Sequence, residues 1–492
     1  MGLIGILLGL ALLIGFAYRG WSVLLLAPAA AMVAALFAGE SPLAHWTQTF
    51  MVGTAAFVAQ FFPIFLLGAL FGKLMEDSGS VQSVARFIGD GLGPRRAILA
   101  VVLAGALVTY GGVSLFVAFF VLVPMAQSLF RDANIPRTLM PAAIALGTST
   151  FTMTALPGTP AVQNAIPMPF FGTTPFAAPG LGLIAAAIML LFGLWWLGLV
   201  EARARRAGLG YGGTLGPLSE RVPDRTADAA AEDPLVRGRA TVAGTFDPAE
   251  IHQGEVTPRP PSAFVAFLPL LVVIGVNLAM SLLILPNLDL SYLALDQWGN
   301  SSPAAVSGIW SVIVALASAI LVLLALNWKR LPRLRESVDA GLNASVLPVV
   351  SVACLVGFGT VVAALPAFEM VRTWVLGIEG GPLVSLAVST NVLAALTGSA
   401  SGGLTIALEA LGSTYMQLAA ELGIDPALMH RVAVIGAGTL DSLPHNGAVV
   451  TLLAVCGATH KESYFDMVMV AIVGAIVALV GVIVLGTLFG SF

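Results

Sequence analysis

The sequence predicts an all-α polytopic membrane protein of two inverted-topology repeats, each with five spans, one re-entrant hairpin and one discontinuous helix. Three observations predict it. Of 492 residues, 58% are hydrophobic and 10% charged, whereas a soluble fold carries about 25% charged residues. The charges crowd into one stretch, leaving long apolar runs on either side of it. Landmarks of the first half recur in the second, 287 or 288 residues on. This composition excludes a soluble enzyme, a nucleic-acid binder and a secreted disulfide scaffold. The net charge of −4 says nothing of partners. Cys354 and Cys456 sit in separate apolar runs, without metal-ligand spacing, and read as small buried hydrophobes.

The first repeat, residues 1–200, opens with apolar spans at Leu3–Tyr18, Ser22–Phe37 and Ala55–Phe71 and closes with Pro179–Val200. No basic residue precedes the first run, so it reads as a retained helix with its N-terminus outside, not a cleaved signal. Residues 201–262 hold 17 of the 48 charged residues, are rich in Pro, Gly and Ala, and lack apolar periodicity. They read as a loosely packed cytoplasmic linker. The second repeat, residues 263–492, has spans at Phe264–Leu285, Pro303–Leu326, Val346–Leu365 and Phe465–Leu485. Scaffold parts are expected at 1–75 and 263–365. Lys and Arg at 19, 73–96, 131, 137, 203–206 and 329–335 mark the cytoplasmic side, and the Pro286–Ser302 loop, lacking both, faces out.

Ala97–Phe130 is apolar except for Thr109-Tyr110-Gly111-Gly112-Val113-Ser114 at its middle. As one helix it would run about 51 Å, too long for a hydrocarbon core of about 30 Å, and two full spans need about forty residues. Both flanks are basic, so the segment should enter and leave on one side: a re-entrant hairpin over 97–130. Residues 382–418 repeat the pattern, with Thr397-Gly398-Ser399-Ala400-Ser401-Gly402-Gly403 at the tip.

The recurrences keep their order. Phe71-Gly72 matches Phe358-Gly359, Pro94 matches Pro382, Thr109 matches Thr397, and Leu156-Pro157 matches Leu443-Pro444. Five spans is an odd number, so the second half enters inverted, as in secondary transporters. Within the expected broken helices, 138–165 and 428–456, proline, glycine and hydroxyls interrupt an apolar run. Proline removes a donor, and unwound backbone at mid-membrane is costly unless something polar binds there. Two breaks and two tips at related positions point to one central site.

With no Lys or Arg read at the tips or breaks, an anion would be held by helix N-termini, backbone N–H groups and hydroxyls. Tyr110, Gly111, Gly112 and Ser114 precede one arm; Ser399, Ser401, Gly402 and Gly403 precede the other. Thr150, Thr152, Thr154, Gly158 and Thr159 at the first break and Asn446 at the second suit a hydroxylated substrate, although such hydroxyls often bond their own helix. Ionisable groups inside a membrane are usually functional. Asp441 and His445 flank the second Leu-Pro and are placed to share a proton, and Glu409 lies on the second hairpin. Asp77, Asp90, Glu369 and Glu379 read as solvated at the interface.

The run Gly68-Ala69-Leu70-Phe71-Gly72-Lys73-Leu74-Met75-Glu76-Asp77-Ser78-Gly79 resembles the gluconate/proton symporter (gluconate permease, GntP) family, as does Tyr110-Gly111-Gly112-Val113-Ser114 leading to Phe119-Phe120-Val121-Leu122-Val123-Pro124. The resemblance covers nearly the whole chain outside the linker. It implies the ion transporter superfamily, a homodimer with scaffold and mobile elevator-type domains, and the bacterial inner membrane. It also implies proton-coupled uptake of gluconate, related sugar acids, D-serine or 3-hydroxybutyrate. Gluconate members carry a His- and Pro-rich stretch at the first break; Thr154-Ala155-Leu156-Pro157-Gly158-Thr159-Pro160 here favours the branch proposed for short hydroxy acids.

The leading reading is a proton-coupled symporter of a small monocarboxylate, working in the lipid bilayer with no cofactor and no nucleic-acid partner. A sodium-coupled symporter is its nearest rival, since the same hydroxyls and carbonyls suit sodium. A cation/proton antiporter would want more than one central carboxylate. A membrane enzyme would want a nucleophile or metal cluster beside Asp441 and His445. Cysteine labelling from the two sides of the membrane tests the topology. The N-terminus, the Pro286–Ser302 loop and the C-terminus should label from outside and the linker from inside; linker and loop labelling from one side would reject the inversion.

Overall fold

The structure is a computed structural model and describes residues 1–17, 19, 21–212, 247, 250 and 253–492. It is a multi-pass helical membrane protein. Among the described residues seven helices are long and apolar enough to cross a bilayer: Pro42–Asp77, Leu115–Asp132, Pro179–Arg206, Ala263–Asn287, Pro303–Arg330, Leu334–Ala364 and His460–Phe489. The pair Ser80–Leu92 and Pro94–Tyr110, bent by 99°, makes an eighth if counted as one span. The first two expected spans are the helices Gly2–Ala17 and Val23–Ala38. At 16 residues each is about 24 Å long, short of a full crossing. They pack on each other, and residue 18, the expected end of the first, lies outside the described residues.

The most extensive helix contact pairs Met51–Asp77 with Leu334–Ala364. Small residues make it possible. A side chain at Gly53 would strike Thr360, one at Gly357 would strike Thr54 and Phe50, and one at Gly341 would strike Leu70. In lipid there is no hydrophobic drive between helices, so close backbone approach must supply the attraction. Pro348 lies inside Leu334–Ala364 and cannot donate to the carbonyl of Ala344 four residues back. The N–H of Asp247, from the linker, fills that place at 2.8 Å.

Residues 213–246 of the linker lie outside the described residues. Its described ends are ordered. Glu201–Arg206 completes the helix Pro179–Arg206, where three arginines suit the negative C-terminal dipole. Residues 253–262 lie across three elements. Thr257 N–H donates to Asp77 O (2.9 Å), Ser83 Oγ donates to Pro261 O (2.7 Å), and Glu255 pairs with Arg333 (3.2 Å). This strap corrects one expectation. Asp77 is not solvated but fully buried, 3.1 Å from Lys73 Nζ, with Glu76 also against Lys73 at 3.4 Å. The strap roofs the helix end that would otherwise meet water. Asp90, Glu369 and Glu379 are exposed.

Two helical hairpins occupy the expected segments. The first joins Ala97–Tyr110 to Leu115–Asp132, the second Pro382–Thr397 to Ala400–Leu422. Each is followed by an interrupted helix. Met140–Thr148 gives way to the short turns Phe151–Thr154 and Val162–Ala165. Pro426–Thr439 gives way to Leu440–Ser442 and then Gly447–Val455. The two cysteines are buried.

Gly357→Leu should force the two central helices apart and cost about 1–3 kcal/mol by overpacking, lowering the thermal unfolding midpoint in detergent. Gly91→Leu, where a side chain meets open space, should leave the midpoint unchanged.

Candidate functional site

The first tip and the first break share a cavity. Gly112, Val113, Ser114 and Leu115 line one side; Thr148, Thr152, Met153 and Pro160–Gln163 line the other, with Ile64, Gly68 and Leu316 closing it. It measures about 70 Å³, room for a few waters or a small ion and too little for a six-carbon sugar acid. Gly112 is needed here, because its φ of +96° lies in the left-handed region. A second, smaller cavity holds Asp441, Ser442 and Asn446 and shares Leu115 and Met153 with the first. Tip one, break one and break two therefore meet around one wall.

The second tip is fastened to the second break. Asn446 Nδ2 donates to Gly398 O (2.9 Å) and to Asp441 Oδ1 (2.7 Å), while its Oδ1 accepts from Ala448 N–H (2.7 Å). The backbone N–H of Ala400 also donates to Asp441. Asp441 thus sits on the positive N-terminal end of Ala400–Leu422, the place the sequence reserves for a substrate anion. Ser399 Oγ caps the same end through Gly402 N–H (3.1 Å) and lies 3.2 Å from Ser401 Oγ. His445 Nε2–H donates to Ala395 O at 3.1 Å.

Other predicted residues have structural tasks. Tyr110 OH donates to Pro157 O at 2.7 Å, bracing the first break. Thr150, Thr152 and Thr154 donate to carbonyls of their own segment, Leu146 O, Gly147 O and Thr150 O. This leaves their lone pairs as acceptors. Thr159 Oγ1 accepts from Ala161 N–H at 3.4 Å. A side chain at Gly111 would strike Leu270, at Gly158 Phe176, at Gly402 Leu355, and at Gly403 the backbone of Ala394. These four glycines are explained by close packing. Glu409 is exposed, outside both cavities.

Arg431 corrects the expectation that no cation lies at the breaks. It is fully buried. Its guanidinium donates to Ala177 O (2.7 and 3.2 Å), Thr154 O (3.3 Å) and Asn164 Oδ1 (3.4 Å). His430 beside it bonds Asn164 Oδ1 through Nε2 (3.1 Å) and Thr173 Oγ1 through Nδ1 (2.6 Å). Asn164 Nδ2 donates to Thr159 O and Pro175 O, so its Oδ1 is an acceptor and His430 carries its proton on Nε2. Asn277 Nδ2 reaches Gly158 O at 2.9 Å. The signal was present: a His-Arg pair and a lone Asn, each inside an apolar run.

The "Uncharacterized transporter YxjC" of Bacillus subtilis (strain 168) is 40% identical over 479 residues, 96% of each chain. The GntP family permease profile matches residues 1–170. The chain belongs to the GntP permease family. It is a transporter, not an enzyme. The "High-affinity gluconate transporter" of Escherichia coli (strain K12) is 32% identical over 143 residues, 28% of this chain and 31% of its own. The YdaH transporter of Alcanivorax borkumensis, known from a crystal structure, aligns over 92% of this chain and 91% of its own at TM-score 0.48 and 16% identity.

In this GntP permease Asn446 joins break, tip and acid. Asn446→Ala should leave Gly398 O and Ala448 N–H without their partner and cost about 1–3 kcal/mol. A cysteine at Ser399 should then react faster with a small thiol reagent. Unchanged reactivity would mean that the tip is held by other contacts.

Proposed function

We propose that this permease is a proton-coupled symporter of a small hydroxylated monocarboxylate, a gluconate-like sugar acid or a 3-hydroxybutyrate-like hydroxy acid, in the bacterial inner membrane. The observation that carries this reading is the junction of the two cavities. There a carboxylate that can accept a proton, Asp441, shares a helix N-terminus with no cation of its own. Ser114, Thr152 and Gln163 supply hydroxyl and amide groups to hydroxyls of a substrate, and Gly112 supplies backbone. The name of the gluconate relative supports a polyhydroxy acid; the Thr154–Pro160 sequence of the first break favours a shorter one. In this reading the two halves are inverted repeats and the hairpins are re-entrant. Hairpins and broken helices then travel as one body against the Met51–Asp77 and Leu334–Ala364 pair, in a homodimer. Asp441 takes the proton, with His445 tuning it; Glu409 is the alternative carrier.

A second reading has one observation of its own. Thr109 Oγ1 lies 3.3 Å from Thr152 Oγ1 and 3.5 Å from Gly147 O, and Thr152 Oγ1 lies 3.1 Å from that carbonyl. Three oxygens so spaced also suit a sodium ion.

Uptake of a labelled hydroxy-acid panel into proteoliposomes, with proton and sodium gradients imposed separately, tests both. A proton gradient alone should drive accumulation. Asp441→Asn should still exchange substrate across the membrane yet fail to accumulate it. Accumulation driven by sodium alone would transfer the coupling to the threonine cluster.

A further inference from the structure

Arg431 and Asp441 stand ten residues apart on one interrupted helix. The carbonyl of Thr154 holds Arg431, and the neighbouring Met153 lines the cavity of Asp441. One buried positive and one buried negative group thus flank the same step of the first break. Neither has an opposite charge among its hydrogen-bond partners. Arg431 bonds neutral oxygens of Ala177, Thr154 and Asn164. Asp441 bonds the neutral donors Asn446 and Ala400.

Among the described residues no other titratable side chain hydrogen-bonds Arg431 or Asp441. Tyr110 faces Arg431 from the first hairpin as a neutral phenol. His430, fully buried beside the Arg431 cation, is disfavoured from taking a second charge, and its Nδ1 then accepts from Thr173 Oγ1. Around the second break His445, His460 and Tyr464 donate to the carbonyls of Ala395, Pro444 and Ser442. A guanidinium stays protonated in proteins. A buried charge without a counter-charge is strongly disfavoured, so the fixed cation at this site requires one anion.

We infer that Arg431 is the fixed counter-charge of the carried anion, balanced by ionised Asp441 when the carrier travels unloaded and by the substrate carboxylate when it travels loaded. This rests on the symport reading above. Two forms of the core are neutral: ionised Asp441 without substrate, and protonated Asp441 with one carboxylate. The two mixed forms carry a net charge into a medium of low dielectric and are excluded. One proton therefore accompanies one monocarboxylate, and both crossings are electroneutral. Arg431 does not line either cavity; it acts through the field and through the backbone of Thr154, as a positioning residue.

The test uses the intact permease in proteoliposomes, with labelled 3-hydroxybutyrate and gluconate as probes. Under a fixed pH gradient, a potassium diffusion potential of either sign should leave initial uptake unchanged. A clear dependence on its sign overturns the electroneutral exchange while leaving proton symport intact. Absence of any uptake driven by the pH gradient overturns the symport reading itself. Arg431→Gln should weaken binding of the probe about tenfold or more, the loss of a Coulomb attraction across a low-dielectric core. Arg431→Lys, which keeps the charge and loses the fork, should retain most of the binding. If Lys fails as badly as Gln, Arg431 is only a clamp on Ala177 and Thr154, and the inference falls. The potential measurement needs no variant, so it decides even if Arg431→Gln fails to fold.

Discussion

A backbone that leaves the helix inside hydrocarbon must find a partner for every N–H and C=O it frees. The organisation of this permease follows from that demand. At the first break the freed carbonyls of Thr154, Pro157, Gly158, Thr159, Pro175 and Ala177 are met by Arg431, Tyr110, Asn277 and Asn164. At the second tip and second break those of Gly398, Ser442 and Pro444 are met by Asn446, Tyr464 and His460. Most of these donors come from distant parts of the chain. The two interruptions thereby tie the hairpins, the breaks and the closing helices into a common frame.

The two breaks meet the demand with different chemistry. The first is braced by a cation and amides and presents its threonines as acceptors. The second carries the acid and places it on a helix N-terminus. The two charged members share no hydrogen-bond partner. A site of this kind discriminates by field as well as by contact, because low dielectric makes each uncompensated charge count.

Much of the fold was legible because bilayer thickness turns length into a structural statement. Ala97–Phe130 is too long for one helix and too short for two spans, and it folds as two arms meeting at Gly111–Ser114. The breaks were legible because proline and hydroxyls in an apolar run have few structural outlets. The roles of individual residues were less legible. Gly402 and Gly403 stand where an anion-binding turn was expected, but Leu355 and the backbone of Ala394 occupy the space beside them. A glycine that admits a ligand and one that admits a neighbouring helix look alike in sequence. Arg431 was hidden by its neighbours: a cation on an apolar helix reads as a loop marker until its carbonyl partners, 254 and 277 positions away, are known. Asp77 read as solvated because the strap over it comes from a segment whose composition looked unstructured.

The bond from Asp247 to Ala344 ties the order of synthesis to the order of folding. Pro348 leaves a gap in the hydrogen-bond ladder of Leu334–Ala364 that no residue of that helix can close. The donor that closes it is made first and must wait while almost a hundred residues follow. Each nascent second half is thus completed by a segment that left the ribosome before it, and the connector serves as a template as well as a join. Two separately expressed halves would have to find this register by collision, whereas in one polypeptide the donor is already at hand.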